Sequence, residues 1–166
     1  MTRYTVRDWN TYFSIPWYVT ALTVVNGACS VRTNNVVDLS SFKFLRSVVI
    51  GDNCFNYVPM LTIVGLNWLE SVNIGYYTFV YYGMQSLLEG SSFKIVNCPR
   101  LKSLYIRGNS CYRYNWFELA QLPQLKSIVM GFYDYGCFVR TRNAVLRGKS
   151  DRTDELYTCH HCRLLI

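Results

Sequence analysis

The sequence has few of the side chains on which enzymes rely. Its two histidines, His160 and His161, lie near the C-terminal end, and its one pair of adjacent acidic residues, Asp154-Glu155, lies close to them. A nucleophile needs a positioned base, and neither group lies in a segment with a regular pattern. The sequence also has no glycine-rich phosphate-binding loop between a strand and a helix. We therefore expect no catalytic activity and no cofactor.

The cysteines lack the spacing of a disulfide framework. There are seven, an odd number, at positions 29, 54, 98, 111, 137, 159 and 162, and only the last two lie close together. The sequence also lacks an apolar run near the length of about 20 residues that spans a bilayer. The first eight residues lack the apolar core of a signal peptide. These absences favour reduced thiols in a cytoplasmic protein without a transmembrane segment.

Aromatic and aliphatic residues are abundant. The 166-residue chain is 51% hydrophobic and only 16% charged, with 14 Tyr, 9 Phe and 4 Trp. This composition suits one compact domain with a buried core and argues against a disordered chain. The formal net charge of +7 is spread along the chain, and it favours acidic partners in general.

A repeat of about 24 residues runs through most of the chain. Its most regular part is a six-residue segment with an aliphatic residue at positions one, four and six. Five such segments occur, at 19–24, 45–50, 69–74, 101–106 and 125–130. This pattern predicts a short strand in each segment, with positions two, three and five exposed. The interval between the third and fourth segments is the longest, and it indicates an insertion of about eight residues near 81–90.

Each repeat contains a second apolar pair. The pairs are Val37/Leu39, Leu61/Ile63, Phe93/Ile95 and Phe117/Leu119, and the second member always lies six residues before the next segment opens. The residue midway is Phe42, Leu66, Cys98 or Leu122. This spacing predicts a second strand, then a corner and the strand of the following segment, with little helix. Gly51, Gly75 and Gly131 directly follow three of the segments, and we interpret them as turn residues.

The segments resemble the leucine-rich repeat signature, L-x-x-L-x-L-x-x-N-x-L. Every position is matched by Leu45, Val48, Ile50, Asn53 and Phe55, and the fourth unit matches through Leu101, Leu104, Ile106, Asn109 and Cys111. At the Asn position of the signature, the third unit has Tyr77, the fifth has Tyr133 and the first has Gly27. At the last position of the signature, the third unit has Phe79, the fifth has Tyr135 and the first has Cys29. Endings with Phe are similar to those of many protist and bacterial leucine-rich repeat proteins.

The resemblance implies a mainly β fold, a right-handed solenoid of about five stacked coils with short strands on two faces and little helix. It covers residues 19–146, with units that start at 19, 45, 69, 101 and 125. Residues 1–18 are interpreted as an N-terminal cap, in which Trp9, Tyr12, Phe13, Trp17 and Tyr18 cover the first coil. Residues 147–166 are interpreted as an irregular or disordered basic tail. Because a Tyr side chain cannot replace the Asn amide inside a coil, we expect units three and five to turn differently.

The exposed positions of the stacked strands form the candidate binding site. Position three is a row of small residues, Ala21, Ser47, Ser71, Ser103 and Ser127, which leaves room for a partner. Aromatic residues and Arg flank this row, as is typical of binding hot spots. The candidate contact residues are Arg46, Val49, Glu70, Asn73, Tyr76, Lys102, Tyr105, Arg107, Lys126, Val129 and Phe132. Because such solenoids recognise partners through the concave surface, the resemblance implies a non-catalytic module that binds a protein.

Two alternative functions remain open. The basic surplus and the aromatics also suit nucleic acid or another acidic surface, although Glu70 interrupts the basic residues of its row. Salt dependence separates this alternative from protein binding. The other alternative is an incomplete repeat fragment without independent function.

The sequence has one candidate zinc site. Cys159 and Cys162 flank the two histidines and are its candidate ligands. A structural zinc site needs four ligands in a tetrahedral array, which adjacent residues in one short loop strain. No second Cys/His cluster lies nearby, so we expect no metal site.

Overall fold

The computed structural model describes residues 1–82, 88–131, 136–138, 141–147 and 157–159. In this part of the chain the fold is mainly β, with twelve strands, all paired in parallel, and a single helix of five residues. The mainly β prediction is therefore confirmed. None of the described helical structure is long or apolar enough to cross a membrane.

The strands form two sheets, and the chain alternates between them. The seven-stranded sheet contains β1 (Arg3–Val6), β2 (Ala21–Val24), β4 (Ser47–Ile50), β6 (Ser71–Ile74), β8 (Ser103–Ile106), β10 (Ser127–Met130) and β12 (Tyr157–Cys159), in that order. The five-stranded sheet contains β3 (Val37–Asp38), β5 (Met60–Val64), β7 (Leu88–Val96), β9 (Tyr114–Ala120) and β11 (Asn143–Arg147). One strand of each sheet with its connections makes a circuit, and each circuit pairs with the next.

The register of the seven-stranded sheet aligns the repeated aliphatic residues. One buried row contains Leu22, Val48, Val72, Leu104 and Ile128, and the next contains Val24, Ile50, Ile74, Ile106 and Met130. These residues are at most 2% exposed, because alternate side chains of a strand point to one face. The burial predicted for positions four and six of the segments is confirmed.

The five-stranded sheet closes the other side of the core. Leu61, Phe93 and Phe117 lie opposite one another on adjacent strands and are fully buried. The rings of Phe93 and Phe117 stack with centroids 5.5 Å apart. Burial of large aromatic side chains between the sheets supplies much of the apolar area that stabilises this core.

The eight-residue insertion lies between Val80 and Ser92. Val80 still follows the register of the shorter repeats, since its N–H donates to Asn56 of the preceding circuit. Ser92 pairs with Met60, which places it eight positions later than that register would, and β7 has a register irregularity just before this point. Residues 83–87 of the expected insertion lie outside the described residues.

The N-terminal segment adds a strand and a short helix to the core. Strand β1 pairs with β2, and α1 (Trp9–Phe13) begins with a capping box between Asp8 and Thr11. Trp9 and Tyr12 pack on the ring of Phe55, with centroids 5.7 and 6.0 Å away.

Three of the five aromatic residues expected to cover the first coil are exposed instead. The exposed fractions of Phe13, Trp17 and Tyr18 are 66%, 68% and 50%. The expectation is wrong for these three side chains because α1 presents only one face to the core, and the turn after it points Trp17 and Tyr18 outward.

The C-terminal segment is more regular than expected. Strand β11 pairs with β9, and residues 157–159 form β12, which pairs with β10. Arg147, the last residue of β11, and residues 157–159 therefore differ from the irregular tail expected for 147–166. The rest of that segment, 148–156 and 160–166, lies outside the described residues.

The fifth unit also departs from its expected alignment. Met130 pairs with Ile106 in the regular register, but the partner of Phe117 is Ala144, three positions later than that register would place it. Phe138 is fully buried with φ of 51°, close to the values of 52° and 59° at Phe55 and Phe79. Phe138 therefore occupies the last position of the repeat signature in this unit. The assignment of that position to Tyr135 was wrong, because this unit is three residues longer than the regular repeat.

The turns after β4, β6 and β8 contain a residue in the left-handed conformation at the Asn position of the repeat. Asn53, Tyr77 and Asn109 have φ of 55°, 53° and 59°, and Asn53 and Tyr77 are exposed. The expectation that unit three turns differently is wrong, because the position constrains the backbone and leaves the side chain outside the core. Tyr133, on which the same expectation for unit five rests, lies outside the described residues. Asn is favoured at such positions, whereas Tyr adopts them at a cost in strain.

An interior ladder of hydroxyls and thiols donates hydrogen bonds to backbone carbonyls in the turns after the strands. It contains Cys54, Thr78, Ser110 and Cys137, all fully buried. Each side chain donates to the carbonyl that directly follows the strand of the preceding circuit, at 3.0, 2.8, 2.6 and 2.9 Å respectively. Burial raises the pKa of Cys54 to about 11 and that of Cys137 to about 12, so both thiols stay protonated and can donate. The ladder satisfies carbonyls that would otherwise be buried without a partner.

Candidate functional site: the exposed face of the seven-stranded sheet

The exposed face of the seven-stranded sheet has three parallel rows of side chains. Ala21, Ser47, Ser71, Ser103 and Ser127 form the row of small residues, and Thr23, Val49, Asn73, Tyr105 and Val129 form the central row. The exposure predicted for position three is wrong at Ala21, which is buried. A charged row, Arg46, Glu70, Lys102 and Lys126, lies just before the strands and is joined by backbone hydrogen bonds. Short side chains beside longer ones leave a shallow surface on which a partner can pack.

The charged row contains one ion pair. Lys102 Nζ lies 3.2 Å from Glu70 Oε2, and both side chains are more than a third exposed. Such a pair adds little stability, but it orients the two side chains. Three cations and one carboxylate leave the row with a net charge of +2, and Arg46 and Lys126 lie on either side of the pair.

Arg107 is held between two tyrosines at the end of β8. Its guanidinium carbon lies 5.2 Å from the ring centroid of Tyr76 and 5.8 Å from that of Tyr105. All three side chains are half-buried. Cation–π contacts of this kind order the guanidinium while its N–H groups remain available to an external acceptor.

Gly51 and Gly75 allow neighbouring circuits to approach each other closely next to Tyr76. Gly51 and Gly75 lack positive φ, but a Cβ at either position would collide with the side chain of Asn26 or Asp52. Asn26 Oδ1 accepts from the Asp52 N–H at 2.9 Å, and Asp52 Oδ1 accepts from the Tyr76 N–H at 2.8 Å. The interpretation of these two glycines as turn residues was wrong, since close approach explains them. Of the three glycines that directly follow a repeat segment, Gly131 alone has a positive φ, of 77°, and needs the left-handed conformation.

Ten of the eleven predicted contact residues lie on or beside this face. They are Arg46, Val49, Glu70, Asn73, Tyr76, Lys102, Tyr105, Arg107, Lys126 and Val129. Phe132 lies outside the described residues. Of the candidate zinc ligands, Cys159 lies in β12 and Cys162 is outside the described part, in which no group of three His, Cys, Asp or Glu residues could hold a metal.

An aromatic edge beside the charged row was missed. Tyr18, Phe44 and Trp68 are 50%, 45% and 40% exposed. Phe44 and Trp68 lie two residues before Arg46 and Glu70 of the charged row, and Tyr18 lies two residues before Thr20, which has the same position in the first repeat. Each also directly precedes the opening residue of a repeat segment, so the period alone was sufficient to find them. An exposed row of large aromatic side chains is unusual on a protein surface that has no partner.

Two arginines order the last member of the aromatic edge. The guanidinium carbons of Arg46 and Arg100 lie 5.4 and 4.1 Å from the Trp68 ring centroid. Arg46 therefore belongs to the charged row and also contacts the aromatic edge. This contact makes the two groups one continuous surface.

Comparison with known proteins gave no relatives. No family model matches the sequence, and neither the curated proteins nor the solved structures include a match to the chain.

Proposed function

We propose that this chain is a leucine-rich repeat solenoid that binds a protein partner through the exposed face of its seven-stranded sheet and catalyses no reaction. Support for the solenoid comes from the alternation of the chain between two parallel sheets and from the regular pairing of each circuit with the next. Units that share one continuous core present a regular surface, which repeat proteins use for recognition. The five buried, unpaired thiols support a reducing compartment such as the cytoplasm.

One observation carries the proposal of protein binding. Arg107 lies ordered between Tyr76 and Tyr105. Tyr105 is the next outward-facing residue of β8 after Ser103, which pairs with Ser71. Tyr and Arg are the residues that contribute most to binding energy in protein interfaces. Because cation–π contacts already restrict these side chains, binding costs less conformational entropy than it would for free side chains.

The charge distribution favours a protein over nucleic acid. Glu70 pairs with Lys102 in the middle of the charged row, where a phosphate backbone needs uninterrupted cations. Nucleic-acid binding is nevertheless a distinct outcome of the experiment below, since it weakens steeply with salt.

The experiment compares capture from a native lysate by three forms of the purified chain. The first is the wild type, and the second is Tyr105→Ala/Arg107→Ala, which removes the ordered cluster. The third is Lys94→Ala/Trp116→Ala, which removes a cation and an aromatic residue from the outer side of the five-stranded sheet. Bound protein and nucleic acid are identified at low and at moderate salt, and circular dichroism checks that each form is folded.

We expect one protein to be retained by the wild type and by the five-stranded-sheet variant at both salts. The same protein should be lost from the Tyr105→Ala/Arg107→Ala form. Equal retention by all three folded forms would remove this face from the proposal. Capture of nucleic acid that washes off at moderate salt would replace the protein partner with an anionic one.

A further inference from the structure

A second surface feature, a tyrosine cleft, lies at the corner after the seven-stranded sheet. Its walls include Tyr77, Tyr81, Tyr82 and Tyr112, and Val80, Asn109 and Arg113 complete the described lining. The cleft has a volume of about 230 Å³, which is smaller than a typical cofactor pocket and suits a group the size of one side chain. It shares no residue with the charged row or with the Arg107 cluster.

One nitrogen of the Arg113 guanidinium lacks a hydrogen-bond partner. Its Nη1 atom is buried and makes no hydrogen bond, and the described residues that line the cleft include no carboxylate. A polar atom buried without a hydrogen-bond partner is costly, and such atoms are normally paired. Arg113 is half-buried and lines the open cleft, so an anion bound there would lie close to its positive charge.

Neighbouring groups make the cleft favourable for an anion. Arg32 donates to the hydroxyl of Tyr81 at 3.3 Å and lies 5.6 Å from its ring centroid, which adds a second positive charge behind the wall. Tyr57 packs edge-on against Tyr81, with centroids 5.3 Å apart. Burial, with smaller contributions from Tyr57 and Tyr77, raises the pKa of Tyr82, so this phenol stays protonated and can donate a hydrogen bond.

We propose that the tyrosine cleft binds a carboxylate carried on an apolar body, with Arg113 as the ion partner. One lining guanidinium matches one monoanion, whereas a phosphate group usually has several cations or N–H donors around it. The tyrosine rings provide apolar contact for the body that carries the carboxylate. The carboxylate has two sources, the C-terminus of a peptide or a free small acid, and both present the same chemistry. This inference does not depend on the proposed role of the sheet face.

The test is an NMR titration of the purified, ¹⁵N-labelled chain with N-acetylphenylalanine. N-acetylphenylalanine amide is the matched control, because it keeps the ring and removes the charge. We expect the acid to shift the amides of residues 109–113 and to bind roughly tenfold or more tightly than the amide, as for a charged hydrogen bond. Because this comparison uses the wild type, it holds even if a variant fails to fold.

Two variants locate the charge that recognises the acid. Arg113→Gln should weaken binding of the acid roughly tenfold or more and leave binding of the amide unchanged. Arg100→Gln makes the same change of net charge on the Trp68 edge, and it should leave both affinities unchanged.

Equal affinity for acid and amide would overturn the proposal, as would unchanged binding of the acid to folded Arg113→Gln. Tighter binding of phenyl phosphate than of N-acetylphenylalanine would overturn the choice of a carboxylate. Acetyl-Gly-Gly-Phe with a free C-terminus distinguishes the sources. If this peptide binds at least as tightly as N-acetylphenylalanine, the result supports a peptide C-terminus as the ligand. If N-acetylphenylalanine binds and the peptide does not, the result supports a free small acid. Failure of this test would leave the sheet-face proposal untouched, since it concerns different residues.

Discussion

The interior ladder predicts a large effect from the removal of a single hydroxyl group. Thr78 is fully buried, and its Oγ1 donates to the Gly51 carbonyl at 2.8 Å and accepts from the Cys54 N–H at 3.4 Å. Thr78→Val keeps nearly the same shape but removes the hydroxyl. The half-buried Gly51 carbonyl and the buried Cys54 N–H then lose this partner.

The expected loss follows from these contacts. A buried group left without its hydrogen bond costs about 1–3 kcal/mol, and the long bond from Cys54 contributes at the low end. The added methyl group returns roughly 0.8 kcal/mol of apolar burial. We therefore expect Thr78→Val to lower the free energy of unfolding by about 2 kcal/mol, and Tm by roughly 4–8 °C.

Urea unfolding followed by circular dichroism measures this change. Thr78→Ser, which keeps the hydroxyl, should lose less stability than Thr78→Val. Thr23→Val, on the exposed face of β2, should change the free energy of unfolding by less than about 0.5 kcal/mol. The reasoning is refuted if Thr78→Val is as stable as the wild type, or if Thr78→Ser is the weaker of the two Thr78 variants.

Three further predictions concern packing and ionisation. Ile106→Ala should cost about 2–5 kcal/mol because Ile106 is fully buried, whereas Tyr105→Ala should cost less than about 1 kcal/mol, and equal losses in urea unfolding would mean that the strand register is wrong. Gly75→Ala should cost roughly 1–3 kcal/mol because its Cβ would lie only 2.6 Å from the Gly51 carbonyl carbon, and an unchanged Tm would disprove this close approach. Burial raises the pKa of Cys137 from 9.0 to about 12, so above pH 9 the unfolded chain loses this proton first. The contribution of this thiol to the free energy of unfolding is complete below pH 9 and should fall by about 1.4 kcal/mol per pH unit between pH 9 and 12. In urea unfolding, the free energy of unfolding of Cys137→Ala should therefore fall less steeply with pH than that of the wild type.

The strands could be predicted because their pattern is imposed by burial. Each strand of the seven-stranded sheet has two inward positions, and only aliphatic residues such as Val72 and Ile74 fill them without a polar group. The same period also places the small residues and Tyr105 on the outer side. The exposed face could thus be identified before any coordinates were known.

The turns could not be predicted in the same way, because they constrain the backbone conformation and not the type of side chain. Tyr77 takes the left-handed conformation that suits Asn53, so the change of residue suggested a difference that does not exist. The three inserted residues before Cys137 moved the last place of the fifth unit to Phe138, and a fixed period could not reveal this.

The contacts that order the aromatic edge and the state of Arg113 in the tyrosine cleft escaped prediction. The contacts of Arg46 and Arg100 with Trp68 join residues from three circuits, and their distances depend on how the corners fold. The unpaired Nη1 of Arg113 is a property of the packed cleft, and nothing in the local sequence marks it. Such features require the three-dimensional arrangement.

The most direct test of the proposed recognition face is photocrosslinking in a native lysate. Benzoylphenylalanine is placed at Asn73, in the central row of the seven-stranded sheet, or at Thr62, on the outer side of the five-stranded sheet. We predict a discrete protein adduct from position 73 that is absent from position 62 and disappears when Tyr105→Ala/Arg107→Ala is combined with it. Equal adducts from both positions, or an adduct that survives the double substitution, would contradict the assignment of this face to protein recognition.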